Sequence, residues 1–337
     1  MKTISIWLLG CFIALAALSG CAPQEQAHSV RGKTMGTFYN VKYFGPTRLA
    51  LDAAIDNRLQ QLDASLSTYK TGSEVSLFNA SKANQWFPVS ASTAEIVALA
   101  QSISLRSDGA FDITIGPLVD LWGFGSGPFK SEPPPAELIR ERLSHVGYQN
   151  ISVRNYPPAL RKSYRATAID LSAIAKGYAV DQLAELLDNA GVDAWLIEVG
   201  GELRTRGSKT TGQPWQVGIE KPIANERSAQ RVISLRNAAI ATSGDYRNFF
   251  EFNGVRYSHS INPLTGWPVP DNIGSVSVIA NDAMTADAWA TALLVKGSDE
   301  ALQLAEANNL AISIIQRGAG GKLTEQLSPA FAALLND

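Results

Sequence analysis

Residues 168–191 read AIDLSAIAKGYAVDQLAELLDNAG. Ile169 and Leu171 predict a short apolar strand, Ser172 a turn, and the remainder a helix. Ala179, Val180, Leu183 and Leu187 recur at helical spacing, and Gly191 stands where a helix C-terminus needs positive φ. Two charges stand out. Asp170 lies within the apolar strand, where an unpaired carboxylate is costly to bury. Lys176 lies in about the first helical turn, where the macrodipole disfavours a cation. An anion docked at the helix N-terminus would reconcile this, because backbone N–H groups and the ammonium would converge on it. From these residues alone a plainer reading stands beside it, with Lys176 reaching solvent and Asp170 capping a turn.

Outward from this stretch, strands and helices alternate irregularly. Thr37–Phe44 alternates Tyr39, Val41 and Tyr43 with Asn40 and Lys42, a strand. Ile55, Leu59, Leu62 and Leu66 mark a helix ending at Ser67-Thr68-Tyr69. Ser92-Thr93-Ala94-Glu95 reads as a capping box opening another. DGAFDITIG (108–116) joins a turn signal to a β-prone run. Gly123–Pro135 is a loop. Ala194–Val199, Glu202–Arg206, Trp215–Glu220, Arg231–Arg236 and Ala238–Thr242 read as strands, with Gly200-Gly201 a hairpin turn or a point of close approach. No repeated βα unit or 20–50-residue period appears. The pattern predicts an α+β fold, a single large domain of antiparallel or mixed sheets flanked by helices.

The chain has 337 residues, 45% of them hydrophobic, and a formal net charge of −2, which leaves no basic footprint for nucleic acid. Lys2, the apolar run Ile4–Leu18 and then Leu18-Ser19-Gly20-Cys21 read as a signal peptide over 1–20. A cysteine directly after Leu-Ser-Gly resembles a bacterial lipobox and implies lipidation of Cys21. The expectation is a protein lipid-anchored to the inner or outer membrane, facing the periplasm. Residues 22–30 read as a polar tether with a solvated His28, and 31–337 as the folded domain. The only other cysteine, Cys11, falls in the leader, so neither a disulfide nor cysteine catalysis is expected.

Two constellations remain. YSHSINPLTG (257–266) places His259 beside an Asn-Pro turn, in a polar setting where an imidazole with a pKa near ~6.5 serves as a general base. His145, at the end of a helix, suits the dipole and is given no chemistry. DAMTADAWATALLV (282–295) is an apolar helix carrying Asp287 and Thr291 four residues apart, on one face. A carboxylate and a hydroxyl without His or Cys suit Mg²⁺ better than Zn²⁺. Alternatively, Thr291 bonds back along its helix and Asp287 faces water. Together these features suggest Mg²⁺-assisted handling of a nucleotide-like molecule. No strand is followed by G-x-G-x-x-G, so a hydride-transfer fold is not indicated.

The ordered motifs Met35-Gly36-Thr37, Ser67-Thr68-Tyr69, Gly109-Ala110-Phe111-Asp112, Asp170–Gly177, Val199-Gly200-Gly201-Glu202, His259–Pro263 with Thr265-Gly266, and Asp287 with Thr291 resemble those of the ApbE family of FAD:protein FMN transferases, from about Arg31 to the last strands. The resemblance implies an FAD site lined by Met35, Tyr69, Ala110, Phe111, Asp112, Asp170, Lys176, His259 and Ile261, with Tyr69 stacking on a ring. It implies Mg²⁺ held by Asp287, Thr291 and the Ala173 carbonyl. The implied reaction moves the FMN half of FAD onto a Thr or Ser hydroxyl of an acceptor protein and releases AMP. Lys176 would neutralise phosphate charge and His259 would take the hydroxyl proton. Acceptors implied are flavin-carrying subunits of sodium-pumping NADH:quinone oxidoreductase (Nqr) and Rnf-type complexes. Two rival readings are an FAD pyrophosphatase and a non-catalytic flavin-binding lipoprotein; Tyr69, typical of the transferase type, and the Asp287/Thr291 pair with His259 speak against them.

Overall fold

The alternation along Thr37–Gly45 places Tyr39, Val41 and Tyr43 on one face of an eight-stranded sheet and Phe44 on the other. The structure is a computed structural model describing residues 26–45, 51–209, 211–224, 226 and 228–335. The leader 1–20, Cys21 and residues 22–25 lie outside the described residues.

In chain order the strands are β1 (Gln26–Thr34), β2 (Thr37–Gly45), β3 (Phe87–Pro88), β4 (Ile151–Asn155), β5 (Pro158–Lys162), β6 (Ala194–Val199), β7 (Glu202–Arg206), β8 (Trp215–Glu220), β9 (Ala229–Leu235), β10 (Ala239–Gly244), β11 (Phe249–Phe252), β12 (Val255–Ser258), β13 (Ile273–Ala280), β14 (Ala311–Arg317) and β15 (Leu323–Leu327). The helices are α1 (Asp52–Leu66), α2 (Glu74–Ala80), α3 (Ala91–Arg106), α4 (Gly116–Trp122), α5 (Ala136–Leu143), α6 (Ala175–Asn189), α7 (Ala283–Lys296), α8 (Ser298–Ala307) and α9 (Pro329–Leu334). The main sheet runs β1-β2-β6-β7-β10-β13-β14-β15, antiparallel at every pairing. The expected α+β class with antiparallel sheets is therefore what forms.

Both faces of the sheet are covered, which is why β6 reads as a continuous apolar run. Trp195, Ile197 and Val199 pack with α1, α3, α6 and α7 in the principal core; Leu196 points the other way, into a second core. That second core contains the β8–β9 hairpin and Phe331 of α9. A third cluster, around Trp122, Phe124, Ile139, Phe250 and Ile261, supports the loop carrying His259.

Four local expectations are corrected. Residues 26–30 are the start of β1, paired with β2, and not tether; Val30 is buried and His28 stacks on Tyr43 at 4.7 Å. β2 supplies the partner that this polar segment could not announce by itself. Ile169 and Leu171 form no strand: Ala168 makes a single bridge to Ile115, and Asn79 takes over strand-like pairing by accepting from the Ile169 N–H and donating to its carbonyl, both at 2.8 Å. The β-prone run after Phe111 is a turn, because the Asp112 carboxylate captures the Thr114 N–H at 2.8 Å and its hydroxyl at 2.6 Å. Helix α3 is capped by Ser90, which accepts from the Thr93 N–H, two residues before the expected capping box.

Candidate active site

Helices α6 and α7 cross over one glycine. A methyl on Gly177 would come within 2.3 Å of the Ala283 carbonyl oxygen, so only glycine lets the two backbones meet there. The start of α7 is held from α6: Asp181 accepts from the Ala283 and Met284 N–H groups at 3.0 and 2.8 Å, and pairs with Arg204 of β7. This crossing brings Lys176 beside Asp287, and the tight β6–β7 turn, with Gly200 and Gly201 at φ of 68° and 116°, delivers Glu202 to the same place.

Lys176 Nζ lies 2.9 Å from Glu202 Oε1 and 3.6 Å from Asp287 Oδ1. Both carboxylates are buried, and their oxygens face one ammonium. Burial alone would lower the Lys176 pKa; Asp287 and Glu202 outweigh it, so the net shift is upward and the ammonium stays charged. Burial raises Asp287, against the pull of Lys176 and of the Gly177 N–H. It raises Glu202 to about 7, opposed by Lys176 and reinforced by Asp287. With both carboxylates ionised the cluster holds one negative charge in excess, which favours a cation.

The donor atoms suit a hard one. The Gly177 N–H, which helical geometry would give to the Ala173 carbonyl, goes to Asp287 Oδ2 at 3.0 Å, and among the described residues no hydrogen bond takes its place at Ala173. Thr291 Oγ1 meets Ser243 Oγ at 3.0 Å. Glu202 Oε2 is buried without a partner. Among the described residues no three His, Cys, Asp or Glu side chains form a metal cluster, so a cation here would rely on carbonyl and hydroxyl oxygens beside Asp287. The plainer reading of α7 does not hold: Asp287 is 3% exposed and Thr291 turns to Ser243.

The cluster opens into a cleft of about 710 Å³. Tyr69, Ala110, Phe111, Asp112, Asp170, Ala173, Lys176, His259, Ile261, Asp287 and Thr291 all line it. Met35 does not; it sits at φ 48° in the β1–β2 turn and packs on the principal core. Tyr69 is 63% exposed, its hydroxyl donating to the Phe124 carbonyl at 3.2 Å, so its ring is free for stacking. Asp170 caps its turn by accepting from the Ser172 N–H and hydroxyl. Both Asp112 oxygens are committed, one to Thr114 and one to the Tyr148 N–H at 2.7 Å, so it braces the cleft wall.

His259 Nδ1 lies 3.1 Å from the Asn248 carbonyl oxygen. A carbonyl only accepts, so Nδ1 carries the proton and Nε2 keeps the lone pair. Enclosure pushes the ring below the ordinary imidazole value, outweighing Asn248, and the Lys176 charge acts in the same direction. At neutral pH the ring is therefore a neutral base. Sequence reasoning gave Glu202, Ser243, Asn248 and Asp181 no role. The glycine pair before Glu202 was a usable signal; the other three are assembled only by tertiary contact.

The fold and this site define an enzyme with a long cleft, aromatic at one part of its wall and carrying a lysine–carboxylate centre suited to a phosphate-bearing ligand and a cation. The ApbE family profile matches residues 35–314. The FAD:protein FMN transferase of Haemophilus influenzae is 39% identical over 343 residues, covering 99% of each chain, and that of Vibrio cholerae 39% identical over 98% of this chain and 99% of the relative. The solved flavin transferase ApbE from Vibrio cholerae aligns with a TM-score of 0.85 at 37% identity, covering 92% of this chain and all of that one. The apo flavinyl transferase ApbE of Pseudomonas stutzeri aligns at 0.84, with 37% identity over 93% and 98%. This chain belongs to the ApbE family and is a transferase.

Proposed function

We propose that the protein transfers the FMN moiety of FAD to a Thr or Ser hydroxyl of an acceptor protein and releases AMP. The observation that carries this reading is Lys176 held between Glu202 and Asp287 in a cleft that also carries Tyr69, Phe111 and Ile261. The names of the relatives support the flavin as substrate.

In the proposed reaction the acceptor oxygen bonds to the FMN phosphorus, and the bond from that phosphorus to the bridging oxygen breaks. The bridging oxygen leaves with AMP. The hydroxyl proton passes to His259 Nε2, which Asn248 keeps in the accepting tautomer. Lys176 places a permanent positive charge against the pyrophosphate oxygens at the N-terminus of α6, where the helix dipole adds to it. Asp287, Thr291 and the Ala173 carbonyl would hold Mg²⁺, which supplies further neutralisation of phosphate charge. Tyr69 would stack on a ring of FAD.

In the same reading the acceptors are periplasmic flavin-carrying subunits of Nqr- or Rnf-type complexes, and Cys21 carries a lipid that anchors the enzyme on that side of the membrane. Quantifying products tests the reaction. Transfer yields AMP one for one with modified acceptor and no free FMN. Equal AMP and free FMN, with acceptor unchanged, would identify a pyrophosphatase instead.

A further inference from the structure

The same cleft is lined by a region that the flavin chemistry leaves unassigned. Asn40, Glu198, Leu203 and Ile240 form a cross-strand row over β2, β6, β7 and β10; Leu203 follows Glu202 in β7 and faces the other side of the sheet, and the cleft reaches both residues. They lie on the sheet face that the β8–β9 hairpin covers. Gln216, Val217 and Gly218 of β8 also line the cleft, and no residue of β9 does. Successive side chains of a strand point to opposite faces, so three consecutive lining residues, one of them a glycine, bring the backbone of β8 to the cleft. β8 pairs with β9 alone, which leaves its other edge without a partner strand among the described residues.

Lysine and proline, the residues that commonly block edge pairing, stand only at the ends of this strand, as Pro214, Lys221 and Pro222, and leave its middle, Gln216–Ile219, without either. Gly218 sits in mid-strand at a cost in strand stability, yet the fold does not demand it. Its φ is not positive, and a methyl there would meet only the Ala229 Cβ, at an ordinary 3.6 Å. A glycine that internal packing does not need fits the close approach of another backbone.

We infer that β8 is the docking strand for the acceptor. An extended segment of the acceptor polypeptide adds to the free edge of β8 as a third strand of the small sheet, over the row from Asn40 to Ile240, and so carries its hydroxyl toward Lys176 and Asp287. Main-chain hydrogen bonds supply the affinity, which lets one enzyme accept segments of differing sequence. This inference rests on the transferase reading above, because only a protein co-substrate requires such an edge.

Hydrogen exchange on the intact enzyme tests it. The probe is an acceptor domain that a parallel mass measurement shows to gain FMN, used in a form whose target threonine is changed to valine so that it binds without reacting. That mass measurement reports on the transferase reading separately. With FAD already bound, adding the probe is expected to slow exchange of alternate amides within Gln216–Glu220 by roughly tenfold or more, the amides facing β9 being protected beforehand. Unchanged β8 exchange under a probe that protects the enzyme elsewhere would overturn the inference. Full protection of β8 by FAD alone, with nothing added by the probe, would overturn it equally.

Discussion

Gly177 gives its backbone N–H to Asp287 Oδ2 at 3.0 Å, so a hydrogen bond that would close the first turn of α6 instead fixes a carboxylate of α7. One residue thus does two things: its missing side chain lets the helices cross, and its N–H aims Asp287. Gly177→Ala would put a methyl against the Ala283 carbonyl and the Met284 Cα, both backbone atoms that cannot swing away. The expected cost is about 1–3 kcal/mol of stability, read by denaturant unfolding, with transfer activity lost ahead of it.

The carboxylate pair gives the protein a definite pH signature in chelator. Glu202 has its folded pKa raised to about 7 from an ordinary 4.5. Its contribution to stability is therefore complete below about pH 4.5 and is lost as pH rises through 7. Asp287 shifts in the same direction. Glu202→Gln is expected to flatten the fall in unfolding midpoint across that window. An unchanged slope would assign the titration elsewhere.

His259 shifts the other way. Its pKa is lowered, so the neutral base persists at pH values where an ordinary imidazole is already protonated, and the acidic limb of the transfer profile should fall below ~6.5. His259→Ala is expected to slow transfer by about 10²–10⁴-fold and to leave FAD affinity within a small factor. Near-normal turnover in that variant would remove His259 as the base.

Lys162 supports the site from a distance. Fully buried, it donates to the carbonyls of Asn79, Arg165 and Thr167 at 2.6, 3.0 and 3.0 Å, and Asn79 in turn clamps Ile169, next to Asp170. Burial lowers its pKa to about 8, with Arg165 adding to the shift. Lys162→Met would leave three carbonyls without their donor. It is expected to cost at least about 2 kcal/mol by thermal or chemical unfolding.

Much of this was legible in the chain because the signals were periodic or paired. β6, β7 and β8 fall at the expected bounds, β6 from its apolar run, and Asp287 and Thr291 share a face of α7 because four residues make little more than one turn. Where reading failed, a partner elsewhere in the chain decided the outcome. Residues 26–30 became a strand through β2, Ile169 was diverted by Asn79, and the run after Phe111 was bent by Asp112. Met35 belongs to a motif that resembles the family's, yet its turn packs it on the core. Glu202 could not be weighed from sequence, since its environment depends on a lysine 26 residues away and a carboxylate on another helix.

The most direct test of the account is the intact mass of an acceptor domain incubated with this protein, FAD and Mg²⁺, alongside the same reaction with Asp287→Ala or with chelator. The account predicts a gain equal to FMN less water on one Thr or Ser with the wild-type protein, and none in the other two reactions. An undiminished gain with Asp287→Ala, or with the metal removed, would contradict a transfer centre built on Lys176, Asp287 and a bound cation.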